Sequence, residues 1–333
     1  MSKPTVLICG PVLFIQDKIK ALEDVWNIIT VDSQSRSEFL QDVKTKYNNV
    51  DAIYRHGGAK IGNFDKEIVD SLPASVKFIA HHGAGYDDVD VAALTARGIK
   101  LAHTPGAVDH GTATVALFLI LASLRQFYRA EKFAREGKFK SGTELAHDPE
   151  GKVLGIVGMG GIGRALAKRA LPFDMKIQYH NRNPVDPSLL ADLPEIKYVP
   201  TLKELLETSD IVSVHVPLNK NTEKLFGKAE FAAMKDGAVI VNTARGGVID
   251  EEALLEALDS GKLFSAGLDV FPDEPNINPK LAANDRITLL PHMGTETIES
   301  RTCMETTVLE NLKAALKTGK FINLVPEQKN LAP

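Results

Sequence analysis

Arg245, Glu274 and His292 make a chemically complete set. Arginine presents a planar fork of donors that matches a carboxylate. Histidine carries a transferable proton near neutral pH. A carboxylate beside it fixes the tautomer and favours the imidazolium. Each of the three follows a segment that reads as a strand. Arg245 ends the run Asn242-Thr243-Ala244-Arg245, Glu274 lies in Asp269-Val270-Phe271-Pro272-Asp273-Glu274-Pro275, and His292 lies in Pro291-His292-Met293-Gly294. The carboxyl ends of strands are where ligands sit in open α/β sheets. Taken singly, an Arg after a strand is often a surface ion pair, Glu-Pro a turn and a lone His structural. Together they are equipped to hold a small acid and move one proton.

A second constellation supplies the context. The apolar run Val153–Val157 enters Gly158-Met159-Gly160-Gly161-Ile162-Gly163, and a helical stretch follows from Arg164. A bare GxGxxG says little, but between a strand and a helix it is the dinucleotide fingerprint. Gly158 permits the tight turn, Gly160 lets backbone approach a pyrophosphate, and Gly163 allows close helix–strand packing. The helix start at Gly161 and Ile162 offers free N–H groups to phosphates. The next strand ends in His180-Asn181-Arg182, where an NAD-preferring site carries Asp or Glu for the ribose 2′-hydroxyl. Asn181 and Arg182 suit a 2′-phosphate better, because a guanidinium grips it in bidentate fashion. NADP(H) is therefore the expected cofactor, with NAD(H) also possible.

The elements that must position these residues are short, mostly apolar runs alternating with helical stretches. Thr5–Cys9, Ala52–Tyr54, Phe78–His81, Val153–Val157, Lys176–Tyr179, Ile211–His215, Ala238–Asn242 and Ile287–Leu290 are apolar nearly throughout. That pattern suits parallel strands covered on both faces. The fold class is α/β, with two doubly wound parallel-sheet domains: a Rossmann cofactor domain inserted into a flavodoxin-like substrate domain. Thr104-Pro105-Gly106 precedes a long helix through about residue 130, and a last helix runs over about Arg301–Lys317. These marks put the substrate domain at 1–104 plus 301–333 and the cofactor domain at 105–300.

Composition narrows the classes. The chain has 333 residues, enough for two domains, with 44% hydrophobic and 25% charged residues. A net charge of −4 gives no basic field for a nucleic acid backbone. Two cysteines, Cys9 and Cys303, make no disulfide framework, and Cys9 within Val6-Leu7-Ile8-Cys9 reads as a buried thiol. His81 and His82 tempt as metal ligands, but neighbours on a strand point to opposite faces, so no metal site is expected. The start, Met1-Ser2-Lys3-Pro4, lacks the apolar region of a signal peptide, and Thr112–Leu124 is too short to cross a bilayer. A cytoplasmic location with no membrane partner is the expectation.

These segments, in this order, resemble the D-isomer-specific 2-hydroxyacid dehydrogenase family. The family's nucleotide motif is similar to Gly155–Gly163, its Asn-Thr-Ala-Arg-Gly motif to Asn242–Gly246, its Asp-Val-Phe…Glu-Pro segment to Asp269–Pro275 and its Pro-His motif to Pro291-His292. The resemblance covers nearly the whole chain, including Thr104-Pro105-Gly106 and Asn219–Thr222. Within the family it is most similar to the fungal glyoxylate/hydroxypyruvate reductase and D-mandelate dehydrogenase branch.

The resemblance implies roles. Arg245 binds the substrate's carboxylate and carbonyl, His292 is the acid/base, and Glu274 pairs with it. Asp269 holds the nicotinamide carboxamide, and Val216, Pro217, Thr222, Thr243, Ala244 and Gly294 line the cofactor. Gly57 and Gly58 present backbone N–H groups to the carboxylate. It also implies a homodimer formed through the helix around Ala113–Leu124 and the segment after it. The expected reaction is NADPH-dependent reduction of a small 2-oxo acid to the D-2-hydroxy acid. An aromatic 2-oxo acid, as for a D-mandelate dehydrogenase, fits the same carboxylate logic. Glu274 argues against a formate dehydrogenase, whose histidine pairs with Gln. A nucleotide-sensing corepressor or scaffold is the reading of another class, and it has no need of Arg245, Glu274 and His292 together.

Overall fold

The structure, a computed structural model, describes residues 3–57, 60–193 and 195–329; Gly58 lies outside them. The chain divides into two compact units, one drawn from 1–108 and 297–333 and the other from 109–296.

The first unit holds β1 (Thr5–Cys9), β2 (Asn27–Thr30), β3 (Ala52–His56), β4 (Phe78–His82) and β5 (Lys100–Ala102). They form one parallel sheet in the order β2-β1-β3-β4-β5, which is the flavodoxin-like order. Both faces are covered, which explains the unbroken apolar runs. Leu7, Ile53 and Ile79 pack with Phe39, Phe64 and Ile68. Val6, Ile8, Tyr54 and Ala80 pack with Val308, Leu309 and Leu312 from the helix Ile298–Thr318. Cys9 is fully buried, and burial pushes its thiol up to about 12.

The second unit holds β6 (Val153–Val157), β7 (Lys176–His180), β8 (Lys197–Tyr198), β9 (Ile211–Val214), β10 (Ala238–Asn242), β11 (Leu263–Leu268) and β12 (Ile287–Leu289). Its parallel sheet runs β12-β11-β10-β9-β6-β7-β8. Read from β8, this is the 3-2-1-4-5-6 Rossmann order with one strand added. Helices Asp109–Arg125 and Gly161–Ala170 cover one face. Helices Leu202–Thr208, Lys228–Ala233 and Glu251–Asp259 cover the other.

Two local readings change. The helix expected to run to about residue 130 stops at Arg125, because Gln126 takes a left-handed φ of 49°. A separate helix, Phe127–Arg135, leaves at an angle of 69°. The carbonyl of Leu124 freed by the break accepts the N–H of His147 at 3.0 Å, so the polar segment returns to cap the broken end. β11 is missing from the apolar runs because it carries Ser265 and Gly267. Ser265 Oγ donates to the Ser123 carbonyl at 2.8 Å, and a Cβ at Gly267 would sit 2.8 Å from Leu119 Cβ. Close helix contact, not apolarity, selects those residues. Among the described residues no single helix is long and apolar enough to cross a membrane.

Candidate active site

Six strands of the second unit, β6, β7, β9, β10, β11 and β12, deliver residues to one edge. β6 ends in the glycine loop, where Gly158 has a φ of +103° and no room for a side chain: a Cβ would lie 2.7 Å from the His215 carbonyl. A Cβ at Gly163 would overlap the Gly158 carbonyl oxygen, so the helix Gly161–Ala170 can start directly against the strand end. At Gly161 it would overlap the Asp109 carboxyl. Gly160 is different: a Cβ there would meet no protein atom within 4 Å. Packing therefore does not require glycine at 160, and the open side of the loop leaves backbone accessible there. The loop and the first amides of this helix fit a pyrophosphate.

Beyond β7, Asn181 Oδ1 accepts the Met159 N–H at 2.7 Å. Asn181 thus braces the glycine loop from the side, a task that the expected ribose-side role does not suggest. Arg182 is exposed and makes no hydrogen bond or ion pair among the described residues. Beyond β9, Val216 and Pro217 follow directly. Thr222 donates its hydroxyl to the Pro217 carbonyl at 2.5 Å and accepts the Asn219 N–H at 2.9 Å, which spends its side chain on its own turn.

β10 ends in Asn242, a polar residue at the tip of a buried strand, and its amide organises the turn. Its Nδ2 donates to the Arg245 carbonyl at 2.8 Å, and its Oδ1 accepts the Ala244 N–H at 3.0 Å. Sequence reasoning passes over Asn242 because its work is internal; the interruption of an apolar run was the available signal. Thr243 is 6% exposed and its buried hydroxyl has no partner among the described residues. An orphaned buried hydroxyl at a strand's carboxyl end is a polar atom waiting for a ligand or a water. Arg245 donates Nη1 to the Ala244 carbonyl at 2.8 Å. Gly246 leaves no space for a Cβ against the Phe271-Pro272 backbone, which brings the Arg245 and Glu274 segments together.

β11 leads to Asp269, which is 1% exposed. Its Oδ1 accepts the Met293 N–H at 2.6 Å and its Oδ2 the Gly294 N–H at 2.9 Å. Its carbonyl accepts the His292 N–H at 2.8 Å. Burial raises its carboxyl to about 6, against the pull of those two amides and of His292. Asp269 thus holds the loop that carries His292, which takes a left-handed φ of 57°. A side chain kept in that sparsely populated region is held by its surroundings, here by Asp269 on one side and Glu274 on the other.

Glu274 Oε2 accepts from His292 Nδ1 at 2.7 Å, and its Oε1 accepts the Phe271 N–H at 2.9 Å. Burial pushes the Glu274 carboxyl up. The hydrogen bond from His292, the Phe271 amide and the charges of His292 and Arg245 outweigh this and hold it below its ordinary value. With Nδ1 committed to a carboxylate, Nε2 is the ring nitrogen left to exchange a proton. Arg245, Glu274 and His292 therefore share one edge and one electrostatic neighbourhood. Gly57, in the first unit, follows β3 and its carbonyl accepts from His56 Nδ1 at 2.6 Å. Among the described residues no group of three or more His, Cys, Asp or Glu side chains is placed to hold a metal ion. His81 pairs with Arg55 Nη1 through Nδ1, whereas His82 stacks on His56, so the adjacent histidines enter different networks.

Comparison with known proteins points the same way. Residues 117–294 match the family model described as D-isomer specific 2-hydroxyacid dehydrogenase, NAD binding domain. The chain is similar to 4-methyl-2-oxopentanoate reductase A of Aspergillus oryzae, with 46% identity over 331 residues, 98% of this chain and 99% of the relative. Among solved structures, a glyoxylate reductase from Paecilomyes thermophila is 46% identical with a TM-score of 0.95, over 99% of this chain and 100% of that one. The holo form of Rhodotorula graminis D-mandelate dehydrogenase is 35% identical with a TM-score of 0.93, over 100% of both chains.

Proposed function

Because the chain belongs to the D-isomer specific 2-hydroxyacid dehydrogenase family, we propose that it reduces a small 2-oxo acid of the glyoxylate or hydroxypyruvate type to the D-2-hydroxy acid with NADPH. The observation that carries this reading is the 2.7 Å pair between His292 Nδ1 and Glu274, set on the same sheet edge as Arg245. The glycine loop, the open side of Gly160 and the orphaned Thr243 hydroxyl support a nicotinamide dinucleotide beside them. Val216, Pro217, Ala244, Asp269 and Gly294 belong to the same edge and are its proposed lining.

Bound there, a reduced nicotinamide supplies a hydride, two electrons and a proton's worth of hydrogen, to C2 of the 2-oxo acid. Arg245 holds the substrate carboxylate and polarises the carbonyl. The Gly57 amide, with that of Gly58, is a further proposed donor to the carboxylate. His292 gives the Nε2 proton to the oxygen as it becomes an alkoxide, and Glu274 stabilises the imidazolium before that transfer. A carbonyl becomes a hydroxyl, and the histidine recovers its proton from solvent.

The preference for NADPH rests on Arg182, a guanidinium where a ribose-binding carboxylate would repel a 2′-phosphate. Steady-state oxidation of NADPH and NADH against glyoxylate, hydroxypyruvate and phenylglyoxylate tests the whole reading. Turnover with NADPH favoured is expected, and Arg182→Asp is expected to move the preference toward NADH by roughly tenfold or more, the loss of one charge-assisted contact. Unchanged cofactor selectivity in that variant overturns the Arg182 assignment; no turnover by folded, nucleotide-binding protein overturns the enzyme reading.

The cellular setting proposed is the cytoplasm, and the assembly proposed is a homodimer. Phe118, Phe127, Tyr128, Phe139 and Leu145 are all exposed, the last two at 76% and 96%. A run of large apolar side chains on one stretch of a folded unit is unusual without a covering partner. Sedimentation is expected to return twice the chain mass of 36.2 kDa, and a monomer at micromolar concentration overturns the assembly.

A further inference from the structure

The glycine loop that fits a pyrophosphate has a carboxylate beside it. Asp109 is the first residue of the helix Asp109–Arg125. Its carboxyl lies so close to Gly161 that a Cβ there would overlap it. Gly161 opens the helix Gly161–Ala170, and no side chain caps that helix. Its first amides are therefore left for an anion from outside. Gly161 has no positive φ to require a glycine. Room for the Asp109 carboxyl is what its missing side chain provides.

That carboxyl is half-buried and makes no hydrogen bond or ion pair among the described residues. Two groups that can carry positive charge face it. Arg164 follows on the same helix and donates Nη1 to the Met159 carbonyl at 3.3 Å, so its guanidinium stays with the loop. His110 is the next residue on Asp109's own helix, and its Nδ1 lies 3.2 Å from Arg169 Nη2. Arg169 in turn donates Nη1 to the Ala165 carbonyl at 2.8 Å. Burial pushes the Asp109 carboxyl up, and the charges of Arg164 and His110 pull it down without cancelling the rise. An acidic residue in the first turn suits the dipole of its own helix. Asn serves a helix start about as well and brings no charge. The charge itself is therefore what the local structure does not need.

We propose that Asp109 is a cofactor-tuning residue: its carboxylate stands beside the diphosphate end of the dinucleotide site and limits how tightly the glycine loop holds the cofactor. The proposal rests on the function given above, in which one loop takes up NADPH and releases NADP+ in every turnover. A diphosphate on these amides carries a negative charge on each phosphate, and like charges in a half-buried setting repel with little screening by salt. Protonation of Asp109 removes the repulsion, so diphosphate affinity rises as pH falls through its titration. No step of the hydride or proton transfer is assigned to it.

Calorimetry with ADP-ribose tests this, because that probe carries the diphosphate but no nicotinamide and no 2′-phosphate. Asp109→Asn keeps the size and the polar helix start, and it is expected to bind ADP-ribose roughly tenfold more tightly than wild type at about pH 8, the scale of one partly screened like-charge contact. Its KM for NADPH is expected to fall in step, while its KM for glyoxylate stays within about twofold of wild type. Wild-type affinity for ADP-ribose is expected to rise from about pH 8 to about pH 5, and Asp109→Asn to lose most of that rise. His110→Gln is expected to keep it. Unchanged or weaker ADP-ribose binding by Asp109→Asn overturns the tuning role, and so does a pH dependence that persists in that variant and disappears in His110→Gln. Either result leaves the enzyme reading intact when the wild type binds the probe and turns over. No binding of ADP-ribose or NADPH by folded wild type overturns both.

Discussion

Replacing His292 with Asn is expected to lower kcat for glyoxylate reduction by about 10²- to 10⁴-fold, the usual contribution of a positioned general acid. Asn is the appropriate replacement because position 292 holds a φ of 57°, a region Asn tolerates better than most residues. The loss then reports the missing proton donor and not a misfolded loop. Affinity for NADPH is expected to change by no more than about twofold, since the effect belongs to the transition state. The pH profile gives a second readout. In the proposed mechanism the donor is the protonated imidazole, so the wild-type reductive rate is expected to fall as pH rises. Glu274 is held below its ordinary value and is a carboxylate throughout the neutral range. Glu274→Gln removes the carboxylate that His292 Nδ1 donates to and is expected to lower kcat by about 10²-fold. A flat wild-type profile with chemistry rate-limiting, or wild-type kcat in Glu274→Gln, sinks the proton-transfer role.

Arg245→Lys is expected to lower kcat/KM for glyoxylate by roughly 10²-fold, equivalent to about 3 kcal/mol, although the charge is kept. Arg245 Nη1 donates to the Ala244 carbonyl, and a planar fork of several donors can hold a turn and a carboxylate together. A lysine has a single nitrogen and cannot hold the turn and the substrate with the same geometry. Arg245→Met removes the charge too and is expected to cost about tenfold more. Steady-state kinetics with glyoxylate, with NADPH affinity measured separately by fluorescence, decides the matter. Wild-type kcat/KM in Arg245→Lys shows that a point charge suffices and that the fork is not used.

The frame of the second unit was legible because it depends on local demands. A strand, three spaced glycines and a helix can be recognised in sequence since backbone geometry allows little else at Gly158 and Gly163. Arg245, Glu274 and His292 were legible as types, each after a strand end. What else each neighbour does was not. Asn181 reads as a ribose-side residue, and its Oδ1 also holds the Met159 amide. Asp269 reads as a cofactor contact, and its oxygens also accept two amides of the His292 loop. A polar side chain at a strand end has several partners within reach, and only the three-dimensional path of the loops selects one. The bend at Gln126 has no Gly or Pro to announce it; a carbonyl capped from His147, far along the chain, makes it tolerable. A hydrogen bond between Arg301 and His56 joins residues 245 positions apart, beyond the reach of any spacing rule.

The first unit's sheet is begun by one end of the chain and finished by the other. Val308, Leu309 and Leu312 cover the face formed by Val6, Tyr54 and Ala80. The Gln328 side chain accepts the Leu101 N–H at 2.8 Å and donates to the Ile99 carbonyl at 2.9 Å. During synthesis, β1 to β5 therefore leave the ribosome with one apolar face bare, and the cover arrives only after the whole inserted unit has been made. At about 5–20 residues per second, that exposure lasts on the order of ten seconds or more. The inserted unit can fold at once, while the earlier strands wait for the last helix. The C-terminal segment is thus the latch that closes a sheet the first hundred residues begin.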